Sequence, residues 1–258
     1  MTRFVFLCAG RGQRMRLLTQ DRCKAMVSTA SGKAIMEQSL DNLVRVLPQE
    51  DYRITIIGGY QFDRLQAWLQ DWSNASGRPV TLRRNALWAE CGPLGSLLQL
   101  QNKDFSDQGM CILNGDTVYD PVIFEIVQQM IRAGKDGLVC SETEELDPDA
   151  ILVRRSGQTI IAAGKAASAP QMPRYLVSAG CMVLSTPVAM VSLRQQLTNL
   201  QDPAAAEALK RNPWHSLVSL IAAQTPMMAE IVSDTSWREY DTPECLSVIT
   251  DAMKAVAL

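Results

Sequence analysis

The stretch FLCAGRGQRMRLLTQDRCKAMV, residues 6–27, starts with apolar residues, turns at two glycines and then carries five basic residues. The apolar start that ends in Ala9 and Gly10 is typical of a buried β-strand. Glycines directly after a strand let backbone N–H groups approach a phosphate closely. Arg14 and Lys24 are suited to hold a triphosphate through charge-assisted hydrogen bonds. The stretch indicates a phosphate site at a strand end, and a solvated basic loop is the alternative interpretation.

The composition limits the classes of protein that fit this chain. It has 258 residues, a formal net charge of -2 and 47% hydrophobic residues, which is ordinary for a globular protein. A general nucleic-acid or membrane-surface binder is usually basic overall, so the basic residues are interpreted as a local site. No apolar segment approaches the length of a membrane span, and no targeting segment is visible. The sequence therefore favours a cytoplasmic protein that binds neither nucleic acid nor membrane.

Two residue types argue against other kinds of site. The chain has one histidine and seven cysteines, and none of the cysteines forms a C-x-x-C pair. A zinc site of histidine and cysteine ligands is therefore nearly excluded. The cysteines are interpreted as reduced buried thiols, although Cys23 stands beside Lys24, and a nearby cation would make its thiol more reactive. His215 is interpreted as a structural or surface residue.

Strands and helices alternate through the first half of the sequence. Strands are predicted at VTLRRN, MCILNGD, GLVCSE and YRITIIGGY, as well as at the opening stretch. Helices are predicted in IMEQSLDNLVRVL, FDRLQAWLQDW and PVIFEIVQQMIRAGK, and another is predicted to begin at GSLLQLQ. Such alternation implies right-handed β-α-β crossovers and a mainly parallel sheet.

The second half reads differently from the first. AILVRRSGQTIIAAGK predicts a hairpin that turns at Ser156 and Gly157, and YLVSAGCMVLS predicts either two strands or one strand with a glycine break. The stretch near Ala204 reads as a polar-edged helix, and a last helix is predicted over residues 243–256. The fold class is therefore α/β and Rossmann-like, with a mainly parallel central sheet flanked by helices and mixed strands in the second half. One domain over residues 1–258 is expected, with a nucleotide-binding half (1–145) and an acceptor-binding half (146–258).

Two aspartates are candidates for a metal site. Asp116 ends the strand MCILNGD, and ligands of open parallel sheets bind at such carboxyl ends. Mg²⁺ takes one or two carboxylates together with phosphate oxygens, so Asp116 and Asp241 are predicted to hold it. The alternatives are a simple turn for Asp116 and a helix N-cap for Asp241.

LCAGRGQRM, followed by LLT and CKAMV, resembles the signature of nucleotidyltransferases that make nucleoside-diphosphate sugars and alcohols. The resemblance continues in order through LNGD, Gly164-Lys165, the SAG stretch at residues 178–180 and WREYDTPECL. It covers nearly the whole chain and implies a GT-A-like nucleotidyltransferase fold. The implied reaction is attack of a phosphomonoester or phosphonate oxygen on the α-phosphorus of a nucleoside triphosphate, which releases pyrophosphate.

The resemblance also implies roles for individual residues. Arg14 and Lys24 would be catalytic, by neutralising charge on the triphosphate, and Asp116 and Asp241 would bind Mg²⁺. The nucleotide would be bound by Leu7, Ala9, Gly10, Gly12, Asn85 and Ser96. The acceptor would be bound by Lys165, Trp237 and Glu239.

Some departures from the family pattern refine the substrate prediction. The proline that usually precedes the lysine is Cys23 here, and the second alanine of the strand end is Cys8. CGPLGSLLQL replaces the Gly-Thr-Ala segment of sugar nucleotidyltransferases. Asn85 with the aromatic Trp88, followed by Ser-Leu, is more similar to the cytidylyltransferases that act on phosphocholine or aminophosphonates. GPLG also resembles the molybdenum-cofactor transferases, whose metal strand and ending differ from those of this chain.

An acceptor with an amine headgroup follows from this resemblance. Trp237 could contact a cationic headgroup through its ring, and Glu239 through its charge. The alternative is that Trp237 packs and Glu239 is solvated. The sequence thus predicts a Mg²⁺-dependent cytidylyltransferase that joins CTP to an acceptor such as phosphocholine. Its alternatives are a sugar-1-phosphate nucleotidyltransferase that uses UTP, dTTP or CTP, and a catalytically silent nucleotide-binding regulatory protein, and the chain is compatible with an oligomer.

Overall fold

Four strands of the first half of the chain form a continuous parallel group in the sheet. In the computed structural model, which describes residues 1–165, 172–202 and 212–246, strand β1 (Thr2–Cys8) lies between β2 (Tyr52–Gly58) and β4 (Gly109–Asn114). Strand β3 (Val80–Arg84) extends this parallel group beyond β2. The parallel register aligns Leu7 with Ile57 and with Asn114, so the three strands end at one edge of the sheet.

The remaining strands convert the sheet to a mixed one. They are β6 (Asp136–Thr143), β7 (Ile151–Ser156), β8 (Thr159–Lys165), β9 (Tyr175–Leu184) and β10 (Met227–Val232). The nine strands are ordered β3-β2-β1-β4-β9-β6-β10-β8-β7, with β9 antiparallel to β4 and β6. A separate two-stranded ribbon pairs β5 (Thr117–Tyr119) with β11 (Trp237–Glu239). This ribbon carries the end of the described chain back to the strand edge.

Helices cover both faces of the sheet. The helices are α1 (Ile35–Val46), α2 (Phe62–Ser76), α3 (Pro93–Ser96), α4 (Pro121–Arg132), α5 (Pro187–Asn199) and α6 (Ser216–Ala222). One face packs against α1, α2 and α4 through a core that includes Phe4, Phe6 and Phe124. The other face packs against α5 and α6 around Trp214 and Met182. The alternation of β1 side chains supplies both cores, because Phe4 and Phe6 face one layer while Val5 faces the other. No helix in the described ranges is long and apolar enough to cross a membrane.

The observed elements confirm the predicted α/β class with its parallel first half and mixed second half. The β7–β8 hairpin turns at Ser156 and Gly157 as expected, and YLVSAGCMVLS forms the single strand β9, in which Gly180 has a φ of 69°. The helix predicted to begin at GSLLQLQ is wrong: α3 starts earlier, at Pro93, and a 3-10 turn over Leu97–Gln99 ends it. Of the predicted final helix, residues 243–246 are helical, and residues 247–256 lie outside the described ranges, as do residues 203–211 near Ala204.

Candidate active site

A cleft of about 380 Å³ opens at the carboxyl ends of β1 and β4. Its position agrees with the general rule for ligands of open parallel sheets. The cleft brings together segments from the beginning, middle and end of the described chain. Its walls are formed by Leu7, Cys8, Gly10, Gly12, Gln13, Arg14, Lys24, Ala25, Gly115, Asp116 and Asp241.

The glycine turn after β1 is shaped around Lys24. Gly12 has a φ of 67°, in the left-handed region that favours glycine. A Cβ atom at Gly12 would lie 2.9 Å from the Cβ of Lys24, so the turn and the lysine can approach only because this position has no side chain. Thr19 stabilises the turn, because its hydroxyl donates to the Gly12 carbonyl over 3.0 Å.

Lys24 joins two carboxylates that are distant in the sequence. Its ammonium donates to Asp116 Oδ2 over 2.8 Å and also to Asp241 Oδ1. The lysine side chain is 10% exposed, against 29% for Asp116 and 20% for Asp241. Burial opposes the charge on Lys24, but the attraction of Asp116 and Asp241 outweighs burial and raises the pKa of Lys24. Lys24 is therefore a positive charge at neutral pH.

Arg14 lies at the mouth of the cleft and is more exposed. Its guanidinium forms an ion pair with Asp241 Oδ2 over 2.9 Å and a second ion pair with Asp149. Burial opposes the charge on Arg14, but the charges of Asp241 and Asp149 together outweigh burial and raise the pKa of Arg14. The same Asp149 carboxylate lies 3.4 Å from the Lys165 ammonium. Lys165, predicted to bind the acceptor, is thus brought near Arg14 through one shared carboxylate.

Asp116, Glu239 and Asp241 form a cluster of carboxylates whose ligand atoms all lie within 4.8 Å of one another. The ribbon of β5 and β11 creates the cluster, because it pairs Glu239 with Thr117, next to Asp116. Lost hydration and the charges of Asp116 and Asp241 raise the pKa of Glu239 to about 8. Because the Glu239 side chain is exposed, we attribute the raised pKa mainly to repulsion among the three carboxylates rather than to lost hydration. Such a set of oxygen ligands suits a hard divalent cation.

A network of buried hydrogen bonds supports the turn that carries Asp116. The Trp214 indole donates to Asn114 Oδ1 over 2.9 Å. The Tyr119 hydroxyl donates to the Gly180 carbonyl over 2.8 Å, which links β5 to β9. A Cβ at Gly180 would lie 2.5 Å from Asn114 Nδ2, so the glycine of SAG makes room for the asparagine. The Asn-Gly-Asp turn is therefore stabilised by contacts of Asn114 with Trp214, just before α6, and with Gly180 of β9.

The last member of this network is the single histidine. His215 lies against Trp214 with the ring centroids 3.6 Å apart, and its Nε2 is 3.0 Å from the Ser178 hydroxyl. Burial lowers the pKa of His215 to about 3, so its imidazole is neutral at physiological pH. The structural interpretation of His215 therefore agrees with its position, and its link to SAG was not foreseen.

An aromatic pair borders the glycine turn on the β2 side. The rings of Tyr60 and Trp88 are edge to face with centroids 5.2 Å apart, and the Arg11 guanidinium lies 5.6 Å from the Tyr60 centroid. Tyr60 donates from its hydroxyl to the Gln20 carbonyl over 2.8 Å. Sequence reasoning missed Tyr60, although its position directly after the glycines of IIGGY is a usable signal.

The predicted nucleotide-binding residues divide into two groups. Leu7, Gly10 and Gly12 line the cleft, and Ala9 lies between two lining residues, with its carbonyl accepting from Tyr60 N over 2.9 Å. Asn85 and Ser96 are not among the lining residues. They are 1% and 3% exposed and are bonded to each other over 3.1 Å, because both side chains turn inward to hold the segment between β3 and α3.

The two remaining acceptor predictions and Cys23 also have defined places. Trp237 is half-buried and donates to the Ser141 hydroxyl over 3.2 Å, on the same face of β11 as Glu239.

Cys23 is fully buried, and burial raises its thiol pKa to about 11. The expectation that Lys24 makes Cys23 reactive is therefore wrong, because desolvation of the thiolate dominates. All seven cysteines are free thiols, and five of them are buried as predicted, whereas Cys91 and Cys245 are half-buried.

Comparisons with known proteins agree with this geometry. The family model of the MobA-like NTP transferase domain matches residues 4–167. Among solved structures, the chain is similar to the CTP:phosphocholine cytidylyltransferase from Streptococcus pneumoniae, with a TM-score of 0.72 and 15% sequence identity. The alignment covers 98% of this chain and 99% of that protein. At such identity the likeness establishes a shared fold, and no curated protein matches the sequence significantly.

Trp214→Phe tests whether the network behind Asn114 positions the carboxylate cluster. The change leaves the part-buried Asn114 Oδ1 without this donor, which costs about 1 kcal/mol of unfolding free energy. We expect affinity for Mn²⁺, measured by calorimetry, to fall about tenfold, as for other residues that orient metal ligands. Trp72→Phe is the matched control, because it removes a comparable indole bond to Asp41, of 3.0 Å, away from the cleft. Equal Mn²⁺ affinities of the two variants would contradict a positioning role.

Proposed function

The chain belongs to the MobA-like NTP transferase family and is a nucleotidyltransferase, and we propose that it transfers a cytidylyl group from CTP to a small phosphorylated acceptor. The acceptor is a phosphomonoester or phosphonate with an amine headgroup, such as phosphocholine, and pyrophosphate is released. The observation that carries the proposal is the meeting of Arg14 and Lys24 with Asp116 and Asp241 at one strand edge. The substrate class rests on two supports, which are the resemblance of the Asn85 and Trp88 segment and the fold shared with a cytidylyltransferase.

The triphosphate is bound by the glycine turn and its cations. Backbone N–H groups at Gly10 and Gly12 contact phosphate oxygens, and Arg14 and Lys24 neutralise the charge that develops on the leaving pyrophosphate. The raised pKa of Lys24 keeps its ammonium protonated for this task. Lys24 contacts Asp116 and Asp241 in the structure, so it has to leave them to meet a phosphate.

Mg²⁺ fits the carboxylates at the base of the cleft. Asp116 and Asp241 would hold the ion, with Glu239 at the third corner of the cluster. When bound, Mg²⁺ supplies charge neutralisation at the phosphate oxygens and fixes their orientation. Its ligands would be the carboxylates together with phosphate and water oxygens, as this ion prefers.

The reaction needs no nucleophile from the protein. An oxygen of the acceptor phosphate forms a bond to the α-phosphorus of CTP, and the bond between the α-phosphorus and the bridging oxygen breaks. The electron pair of that bond leaves with pyrophosphate. Lys165 holds the acceptor phosphate, and its link to Arg14 through the Asp149 carboxylate supports this role. Catalysis then comes from positioning and charge neutralisation.

Pyrophosphate release tests the proposed activity. We expect turnover with Mg²⁺, CTP and phosphocholine or 2-aminoethylphosphonate, and little turnover when UTP, dTTP, ATP or GTP replaces CTP. Asp116→Asn should lower kcat/KM by at least about a hundredfold, since an oriented charge is lost from the reacting centre. Asp51→Asn is the control, because Asp51 pairs with Arg132 outside the cleft, over 3.3 Å.

The pattern of substrates used decides among the competing functions. Turnover only with sugar 1-phosphates would agree with the proposed reaction but contradict the proposed amine-bearing acceptor. Nucleotide binding without turnover for any pair of substrates would favour a silent regulatory protein.

Glu239→Gln separates a metal role from an acceptor role for this residue. The location of Glu239 beside Asp116 and Asp241 favours the metal role over the headgroup contact expected from sequence. We therefore expect the Mg²⁺ concentration for half-maximal rate to rise about tenfold or more, because one ligand charge is lost. At saturating Mg²⁺ the KM for phosphocholine should change less than twofold. A raised KM for phosphocholine with an unchanged Mg²⁺ dependence would contradict the metal role and support contact of Glu239 with the acceptor headgroup.

A further inference from the structure

Asp149 connects two cations of the site that lie on different halves of the chain. It stands in the turn between β6 and β7 and pairs with Arg14 of the glycine turn. Its other carboxylate oxygen, Oδ1, lies 3.4 Å from Nζ of Lys165, the last residue of β8. No role was predicted for Asp149, because its segment contains five acidic residues between positions 142 and 149 and carries no motif.

The two pairs of Asp149 belong to a longer chain of alternating charges. Arg14 also pairs with Asp241, and Asp241 pairs with Lys24, which pairs with Asp116. The order across the cleft is Lys165, Asp149, Arg14, Asp241, Lys24 and Asp116. Each cation that the proposed function needs for a phosphate thus forms an ion pair with a carboxylate.

Asp149 differs from the other carboxylates of this chain of charges. Asp116 and Asp241 belong to the carboxylate cluster, whereas the Asp149 carboxylate is not part of it and forms ion pairs with Arg14 and Lys165. Its backbone N–H donates to Asp147 Oδ1 over 2.8 Å, which fixes the turn without using the Asp149 carboxylate. The side chain can therefore rotate away while β6 and β7 stay in place.

The exposure of the partners makes exchange with a substrate group feasible. The side chains of Arg14, Asp149 and Lys165 are 53%, 46% and 58% exposed. Ion pairs at this exposure contribute little to stability, so a competing anion displaces them at small cost. Lys165 also lines a second depression of about 760 Å³ on β7, β8 and β9.

We propose that Asp149 occupies an anion subsite shared by Arg14 and Lys165, and that a substrate phosphate or phosphonate group displaces it. The inference rests on the proposed function and deepens it, because it identifies the residue that sets the phosphate affinity of the site. A phosphate dianion that bridges both cations competes with the carboxylate, because it carries more negative charge. Asp149 thereby weakens binding of simple anions and of the pyrophosphate product.

Calorimetric titration with inorganic pyrophosphate tests this inference without requiring turnover. Asp149→Asn removes the charge and keeps the size of the side chain. We expect pyrophosphate to bind about three- to tenfold more tightly to this variant than to the wild type, as expected when a competing exposed ion pair is removed. Asp149→Ala should shift affinity in the same direction. Thermal unfolding of both variants confirms that they are folded.

Asp21→Asn is the matched control. The Asp21 side chain is also 46% exposed and also bridges two cations, Arg22 and Arg64, over 3.0 Å each. It lines neither the cleft nor the neighbouring depression, so its loss should leave pyrophosphate affinity unchanged.

Two different results would overturn the inference. If the wild type binds pyrophosphate and the folded Asp149→Asn and Asp149→Ala variants bind it equally or more weakly, Asp149 does not compete for the subsite. That result would not contradict the proposed function. Absence of pyrophosphate binding by all variants, combined with absence of turnover for every pair of substrates, removes the proposed function and this inference together.

Discussion

The ammonium of Lys24 is the interaction on which the site depends. It joins Asp116 and Asp241, which lie 92 and 217 residues away in the sequence. Without that charge, two part-buried aspartates and Glu239 would repel one another across less than 5 Å, a distance at which unscreened repulsion is large. The lysine reaches them only because Gly12 leaves space for its side chain. The glycine turn therefore serves two purposes, which are to approach a phosphate and to admit the cation that holds the carboxylates together.

The sheet places these groups with little freedom. β1 and β4 are parallel neighbours, so the glycine turn and the Asn-Gly-Asp turn emerge side by side. Gly115 donates its N–H to the Leu7 carbonyl over 3.0 Å, and a Cβ there would lie 2.5 Å from that oxygen, so the two turns are in direct contact. Trp214 and Gly180 then support the second turn from the opposite layer. Asp116 thus follows closely after the buried strand β4, whereas Arg14 and Asp149 lie at the exposed mouth.

Sequence reasoning foresaw the parts of the site that depend on local pattern. The apolar strand, its glycines and Asp116 could be placed at one edge, because parallel strands end together and their periodicity is visible. The position of Glu239 could not be foreseen, since it follows from the pairing of β11 with β5, a three-residue ribbon with no signal of its own. Asn85 and Ser96 carry polar side chains that suit a ligand equally well, and only packing shows that they satisfy each other. Asp149 and Trp214 act through long-range contacts, which a spacing rule does not reveal.

The most direct test of this site is a crystal structure with Mn²⁺ and a non-hydrolysable CTP analogue. We expect one anomalous peak within ligand distance of the carboxylates of Asp116 and Asp241. We also expect that Lys24 has left the aspartates for the triphosphate, which lies along the glycine turn. A triphosphate bound elsewhere, or Lys24 still joined to both aspartates with no ion beside them, would contradict the proposed site.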